Sequence, residues 1–584
     1  HTISYKDANL VHSYELPKSK YFIKNTEFKP PLNYSETEFD DYEREILIPH
    51  KMSQLGGGVA IADFNNNGSN DIYFPASKGK IGTIYKFSNL NEFKEFENRA
   101  FTFDSVYEDM GSLFFDANGD NLLDLYVCSG GNQYEEGSPF YQDRLYIYNE
   151  KSKSFDKKPK SLPQMFTSTS CVVSADYDKD GDLDLFVGGR QTPGKYPYPT
   201  NSYILRNDNE VFVNVTNEVA PELVKPGMVT SALWTDFDND DDKDLIVAGE
   251  WMSIMFFENQ NGKLKDITDE EFKKNNVGWW WSINGGDFDN DGDIDYVVGN
   301  LGLNYKYQAT IEEPFSVYSK DFDGNGHNDI VLSYYDVDGK IYPLRGRSCS
   351  SQQIPDIKKQ FPSYNLFSEA TLTDVYKEQD LKDALQYDAR QFGSVYIENK
   401  GNKKFEVKLL PDLAQVSTIF GILPFDFDGD TNLDLLLTGN FYHSEIETPR
   451  ADASIGLLVL GDGKGNFKPV DANETGIMAD NDAKGLAFIK NGPFNLSAIV
   501  VNNNSPAQVF DVNTEHISIF QNVSNNIDYS ISYLKNGKIR KEEYYFGSGY
   551  LSQSSRFYPI YNYIKSFEFI DRNSKKERFN IDEK

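Results

Sequence analysis

Asp and Asn recur at alternate places in seven nine-residue segments, a spacing that would turn several side-chain oxygens toward one centre. The first four are DFNNNGSND (Asp63, Asn65, Asn67, Asp71), DANGDNLLD (Asp116, Asn118, Asp120, Asp124), DYDKDGDLD (Asp176, Asp178, Asp180, Asp184) and DFDNDDDKD (Asp236, Asp238, Asp240, Asp244). The others are DFDNDGDID (Asp287, Asp289, Asp291, Asp295), DFDGNGHND (Asp321, Asp323, Asn325, Asp329) and DFDGDTNLD (Asp426, Asp428, Asp430, Asp434). Places one, three and five offer side-chain oxygens, a carbonyl near place seven offers another, and the Asp at nine closes the shell. An oxygen-only shell rich in carboxylates suits a hard cation, and its protein-supplied size favours Ca2+ over Mg2+. An EF-hand would need a Glu at place twelve followed by a helix. Place twelve is instead Phe74, Val127, Val187, Val247, Val298, Leu332 or Leu437, each in an apolar run. The sequence therefore predicts up to seven structural calcium ions, each fastening two strands. The bland alternative is a set of solvated acidic turns, which seven copies with matching flanks argue against. The first segment has only Asp63 and Asp71 as carboxylates, and is the weakest ligand set. The fourth and seventh carry Asp241 and Thr431 at place six, where a turn-former such as Gly is expected.

The flanks indicate which elements hold these loops. The three residues after place nine are apolar in every copy: IYF, LYV, LFV, LIV, YVV, IVL and LLL. Apolar on both faces, they read as inner strands of a sheet packed on both sides. Short apolar runs such as VAIA and ALWT precede most copies, so each unit reads strand, acidic loop, strand. Repetition at this period predicts an all-β radial array, a β-propeller of seven or eight blades, over residues 51–512. Two spacings depart from the rest: the sixth copy starts 34 residues after the fifth, and the seventh 105 after the sixth. The long gap is read as a partly helical insertion at about residues 343–392, a plain surface decoration or a partner-docking element. The segment KGLAFIKNGPFNLSAIVVNNN reads as a further blade without an acidic loop, and residues 1–50 as an extension able to complete the last blade. Residues 513–584 read as a small β module, with Asn536-Gly537 forming a type I′ hairpin.

Charge limits the partners. Over 584 residues, 90 Asp and Glu stand against 58 Lys and Arg, a formal net charge of −32. Such a surface repels a phosphate backbone, whose binding needs cationic side chains, so nucleic acid is not expected. Direct docking on an anionic membrane is unfavourable for the same reason. Cys128, Cys171 and Cys349 are too few for a disulfide framework and read as free thiols. The first residues, HTISYKDANL, lack a Met, a basic leader and an apolar core, as in a processed or trimmed chain.

With these residues in view, the chain resembles the FG-GAP or VCBS-repeat β-propellers. The stretch Ile531 to Ile560, with its GSGYLSQS core (Gly547 to Ser554), looks like the ASPIC/UnbV module of cartilage-acidic-protein relatives. REILIPHKMSQLGGG, GGRQTPGKYPYP, GWWWSINGGDFDNDGD and LLVLGDGKGNFKP are similar to segments of the Bacteroidota members. The resemblance implies a secreted or lipid-anchored protein of the cell surface, with TonB-dependent outer-membrane transporters or other surface lipoproteins as its partners. It implies a non-catalytic binding or scaffold role, with a polymer ligand as a further option. The competing expectation is a propeller-type glycan lyase or hydrolase. It would place His443, Arg345, Arg347 or Arg190 in a central funnel, with Trp279, Trp280 and Trp281 stacking on sugar rings.

Overall fold

The computed structural model describes residues 19–28, 32–89 and 92–581. Residues 1–18 and 29–31 of the N-terminal extension lie outside the described residues. The fold is all-β, built chiefly from four-stranded antiparallel sheets.

Among the described residues, seven sheets, five of them four-stranded and two carrying a fifth strand, succeed one another around a closed circuit. Their innermost strands are Val59–Ala62, Asp109–Phe115, Ser168–Ala175, Met228–Thr235, Ser282–Gly286, Gly421–Phe425 and Ala483–Asn491. Each innermost strand lies against the next, and the last returns to the first. This is the arrangement of a β-propeller, in which radial packing leaves each sheet with only short free edges. The strands that begin at place nine, such as Asp184–Gln191 and Asp434–Thr438, are second in their sheets and buried along their length. Their continuous apolar runs face a neighbouring sheet on either side.

The circuit closes with a strand from the other end of the chain. The sheet of Ala483–Asn491, Asn495–Asn502 and Gln508–Val512 takes Phe22–Lys24 as its outermost strand, pairing Phe22 with Val512. Its first two strands are joined by a tight hairpin with Gly492 at positive φ and no acidic loop.

The sixth acidic segment departs from expectation. It does not belong to the circuit: it joins Phe315–Lys320 to Asp329–Tyr335 in a separate sheet with Ile341–Pro343 and Leu385–Ala389. That sheet and five short helices from Arg347–Gln353 to Glu378–Lys382 interrupt one circuit sheet, between its strands Asp295–Gly299 and Val395–Asn399. The insertion is thus longer than residues 343–392, and the 34-residue spacing marks the chain leaving the circuit.

The C-terminal strands form a sheet ordered Ile539–Glu543, Ile527–Leu534, Ile564–Asp571, Lys576–Asn580, beside a pair formed by Ile517–Asn522 and Phe557–Tyr561. The hairpin at Asn536 is not type I′, because only Gly537 has positive φ. The Gly537 amide donates to the Leu534 carbonyl, as in a three-residue loop with a Gly bulge. This unit shares one apolar core with the last two circuit sheets, through Phe425, Phe488, Phe557 and Tyr561. No helix of the described residues is long and apolar enough to cross a membrane.

Candidate metal loops

All seven acidic segments wind in the same way. The place-five side chain accepts from the amide at place seven in every copy: Asn67 from Ser69, Asp120 from Leu122, Asp180 from Asp182, Asp240 from Asp242, Asp291 from Asp293, Asn325 from His327 and Asp430 from Asn432. The place-one Asp accepts from amides near places five and six, as Asp176 does from Asp180 and Gly181. Such winding needs left-handed backbone at place six. Gly181 supplies φ 101° there, and Asp241 and Thr431 adopt 66° and 88° without being Gly. A β-branched residue at such a φ carries about 1–3 kcal/mol of strain. Thr431→Gly is therefore expected to raise the urea midpoint of the calcium-loaded protein by the equivalent of about 1 kcal/mol. An unchanged or lower midpoint would contradict the strained reading.

The Asp at place nine does more than close a shell. It is buried in every copy. In the six circuit loops one of its oxygens also accepts from an amide of the third strand: Asp71 from Phe87, Asp124 from Tyr148, Asp184 from Asn207, Asp244 from Asn259, Asp295 from Asn399 and Asp434 from Gly461. The loop thus ties three strands rather than the two expected. The interval from place nine to that amide runs from 15 residues (Asp244 to Asn259) to 104 (Asp295 to Asn399), so no fixed spacing in the sequence signals the tie.

Five segments bring three carboxylates to within 4.8 Å of one another: Asp176, Asp178 and Asp184; Asp236, Asp238 and Asp244; Asp287, Asp289 and Asp291; Asp321, Asp323 and Asp329; Asp426, Asp428 and Asp434. The segments starting at Asp63 and Asp116 form no such triad among the described residues. Burial, reinforced by the neighbouring carboxylates, pushes Asp184, Asp244 and Asp434 up to about 9 and Asp295 to about 8. Asp178 Oδ1, Asp184 Oδ2 and Asp238 Oδ1 are buried with no hydrogen-bond partner. Clustered, desolvated oxygens without donors fit a hard cation, which would supply the positive charge they lack.

The terminal unit rests on these loops. Lys541 lies 3.4 Å from Asp236 and 2.6 Å from Asn239 Oδ1, and its amide donates to Asp287. The Tyr563 hydroxyl donates to Asp426, and a ring nitrogen of His516 is 2.9 Å from the Asp426 carbonyl. Between Glu543 and Phe557 the chain enters the axis of the circuit, where its side chains and backbone bond to innermost strands. Gln553 bonds both the amide and the carbonyl of Phe114, at 2.7 and 2.8 Å. Ser552 and Ser554 accept from the Leu486 and Phe488 amides. Gly549 donates to Ile283 and accepts from Ser231, and Phe546 accepts from Ser174. An innermost strand otherwise turns an unpaired backbone edge toward the axis, so these bonds satisfy groups that burial would leave costly.

The opposite mouth is filled by residues 41–58. His50 is fully buried, 3.0 Å from Glu250, which also pairs with Arg190 and accepts from the Tyr196 hydroxyl. The two fillings meet where the Tyr550 hydroxyl donates to the Leu55 carbonyl at 2.8 Å and the Val59 amide donates to Leu551. Trp279, Trp280 and Trp281 have 0% exposure, so they do not form a sugar platform. Arg190 is likewise inaccessible, His443 lies 3.4 Å from Asp482, and Arg347 donates to the Phe361 carbonyl. The structure does not bring these residues together in an open funnel. Cys128 and Cys171 are buried free thiols, and Cys349 is free and half-buried. Despite burial, His50 and then Arg190 hold Glu250 down at about 2. Its stabilising contribution is present above the ordinary Glu range and lost as pH falls toward 2. Glu250→Gln would leave a buried guanidinium uncompensated and is expected to cost about 3–5 kcal/mol in urea unfolding at pH 7; a loss within experimental error would contradict the pairing.

A propeller fold carrying repeated acidic loops is the class these observations define. Residues 116–187 and 236–298 match the model of the FG-GAP-like repeat. The chain is similar in structure to the V. cholerae biofilm matrix protein Bap1, with 12% identity, 91% of this chain and 99% of that chain covered, and a TM-score of 0.33. It is also similar to YCF48 bound to D1 peptide (7% identity, 80% and 96% covered, TM-score 0.36) and to the Dos1 propeller (9% identity, 79% and 93% covered, TM-score 0.33). None of the curated proteins compared with the chain matches it.

Proposed function

We propose that this is a non-catalytic, calcium-stabilised binding or scaffold protein of a bacterial surface, an accessory subunit of an outer-membrane, TonB-dependent transport or assembly complex. In this reading it is of the Bacteroidota type, its terminal unit is an ASPIC/UnbV module, and a lipid anchor or the partner holds it at the membrane. The observation that carries the reading is the axis. Both mouths are filled by the chain's own residues, which meet at Tyr550 and Leu55, so the usual place for a propeller ligand is occupied by scaffold. A propeller with FG-GAP-like repeats fits a binding or scaffold role, and in this reading the outer loops meet the partner. The insertion offers such a surface: Val337, Tyr364 and Leu366 on it are exposed apolar side chains. The test is native purification from detergent-solubilised outer membranes, with mass spectrometry of what accompanies the protein. Co-purification with a transporter or surface lipoprotein, lost on removing residues 315–389, is expected. A protein recovered alone that turns over glycans would overturn the reading.

A further inference from the structure

We propose that four consecutive circuit loops, those starting at Asp116, Asp176, Asp236 and Asp287, load calcium as a coupled row, and that Asn207, Asn259 and Asn399 are the positioning residues that couple them. The inference rests on calcium filling the loops and adds how one occupied loop acts on the next. The three Asn side chains are buried, each with at most 2% exposure. They hold the same place in three sheets, where their backbone amides donate to the place-nine carboxylates Asp184, Asp244 and Asp295. A side-chain amide carries two hydrogens, and here each bonds a different loop. Asn207 donates to the Leu183 carbonyl at place eight of its own loop (3.3 Å) and to the Ala117 carbonyl at place two of the preceding loop (2.9 Å). Asn259 joins Lys243 (3.0 Å) to Tyr177 (2.6 Å) in the same way, and Asn399 joins Ile294 (3.3 Å) to Phe237 (2.7 Å). The Asn oxygens accept from the amides of Glu210, Gly262 and Gly401, which completes their bonding.

A second set of contacts runs in the same direction, from place four of one loop to place seven of the next. Lys179 is ion-paired with Asp242, and Asn239 donates to Asp293. Place two lies between ligand places one and three, and place seven bears the expected carbonyl ligand. An ion in one loop fixes its winding and its place-nine Asp. The Asn bonded to that Asp then steadies place two of the preceding loop. The neighbour has less freedom left to lose when its own ion arrives, which is positive coupling between sites. The row ends where the Asn is replaced: Tyr148 bonds Asp124 and Gly461 bonds Asp434 at the corresponding place. Beyond it only a place-four contact continues, from Asn290 to Asn432 at 3.1 Å.

The experiment is a calcium titration of the EGTA-stripped full chain against a competing fluorescent chelator, with bound ions counted by native mass spectrometry. The wild type is expected to fill more steeply than independent sites. Asn259→Ala, which cuts the row in the middle, should bind as many ions at saturation but fill less steeply, with its midpoint raised about fivefold, the lower end of ordinary coupling. Folding on calcium would itself steepen the curve, so Gln553→Leu serves as the control: it weakens the fold without touching a bridge and should keep the wild-type steepness. Asp180→Ala, at an exposed ligand place, keeps the test valid should Asn259→Ala not fold. At a calcium concentration that just saturates the wild type, it should leave the neighbouring loops partly empty as well as its own. A wild-type curve of independent sites, Asn259→Ala as steep as wild type, equal flattening in Gln553→Leu, or loss of a single ion in Asp180→Ala would overturn the coupling. Each of those results leaves calcium in the loops, whereas a chain that binds none removes the calcium reading itself, so the two fail separately.

Discussion

Stripping calcium from the purified protein with EGTA is expected to lower its melting temperature by tens of degrees. Five loops concentrate three carboxylates each within 4.8 Å. A site saturated at a hundred times its dissociation constant contributes about 2.7 kcal/mol. Five such sites contribute about 13 kcal/mol, comparable with the 5–15 kcal/mol by which domains are ordinarily stable. The pH dependence has a definite sign. Asp184, Asp244 and Asp434 are raised to about 9 in the folded, metal-free protein, so the fold then prefers their protonated forms. Their contribution is complete below the ordinary Asp range and is lost as pH rises toward 9. The EGTA-treated protein should thus melt at progressively lower temperature between pH 5 and 9, and the calcium-loaded protein should not. Calorimetry at a series of pH values in both states checks this; parallel curves would contradict it.

The second large effect concerns the axial segment. Tyr550→Ala is expected to cost about 3–5 kcal/mol, as for other large buried aromatics. Tyr550 is 2% exposed, packs its ring 4.9 Å from Phe420 and donates to Leu55. Gln553→Leu would keep the volume but leave the Phe114 amide and carbonyl unpaired, for a further loss of about 1–3 kcal/mol. Urea unfolding measures both, and limited proteolysis reports whether the terminal unit is released first. Wild-type midpoints would show that the axis contributes nothing.

The sequence made the loops legible because their chemistry is local: nine consecutive residues contain the winding, the turn and the buried Asp. The all-β fold followed from the apolar triplets after place nine. The axial filling was not legible, because its partners are far apart in the chain, as Gln553 and Phe114 are. A stretch of Ser, Gly and Tyr reads as a loop until innermost strands give it amides to bond. The sixth loop misled for the opposite reason. Its local pattern matches the others, yet Asp329 receives no third-strand amide, and its sheet stands outside the circuit. For Trp279 to Trp281 the sequence offers stacking on sugar rings or packing between sheets, with packing the stronger reading, and their burial agrees with packing.

Native mass spectrometry of the intact chain, before and after EGTA, tests the central claim most directly. The account predicts between five and seven calcium ions per chain, lost together with the compact charge-state distribution. A chain that carries no calcium, or that stays compact and equally heat-stable once stripped, would contradict it.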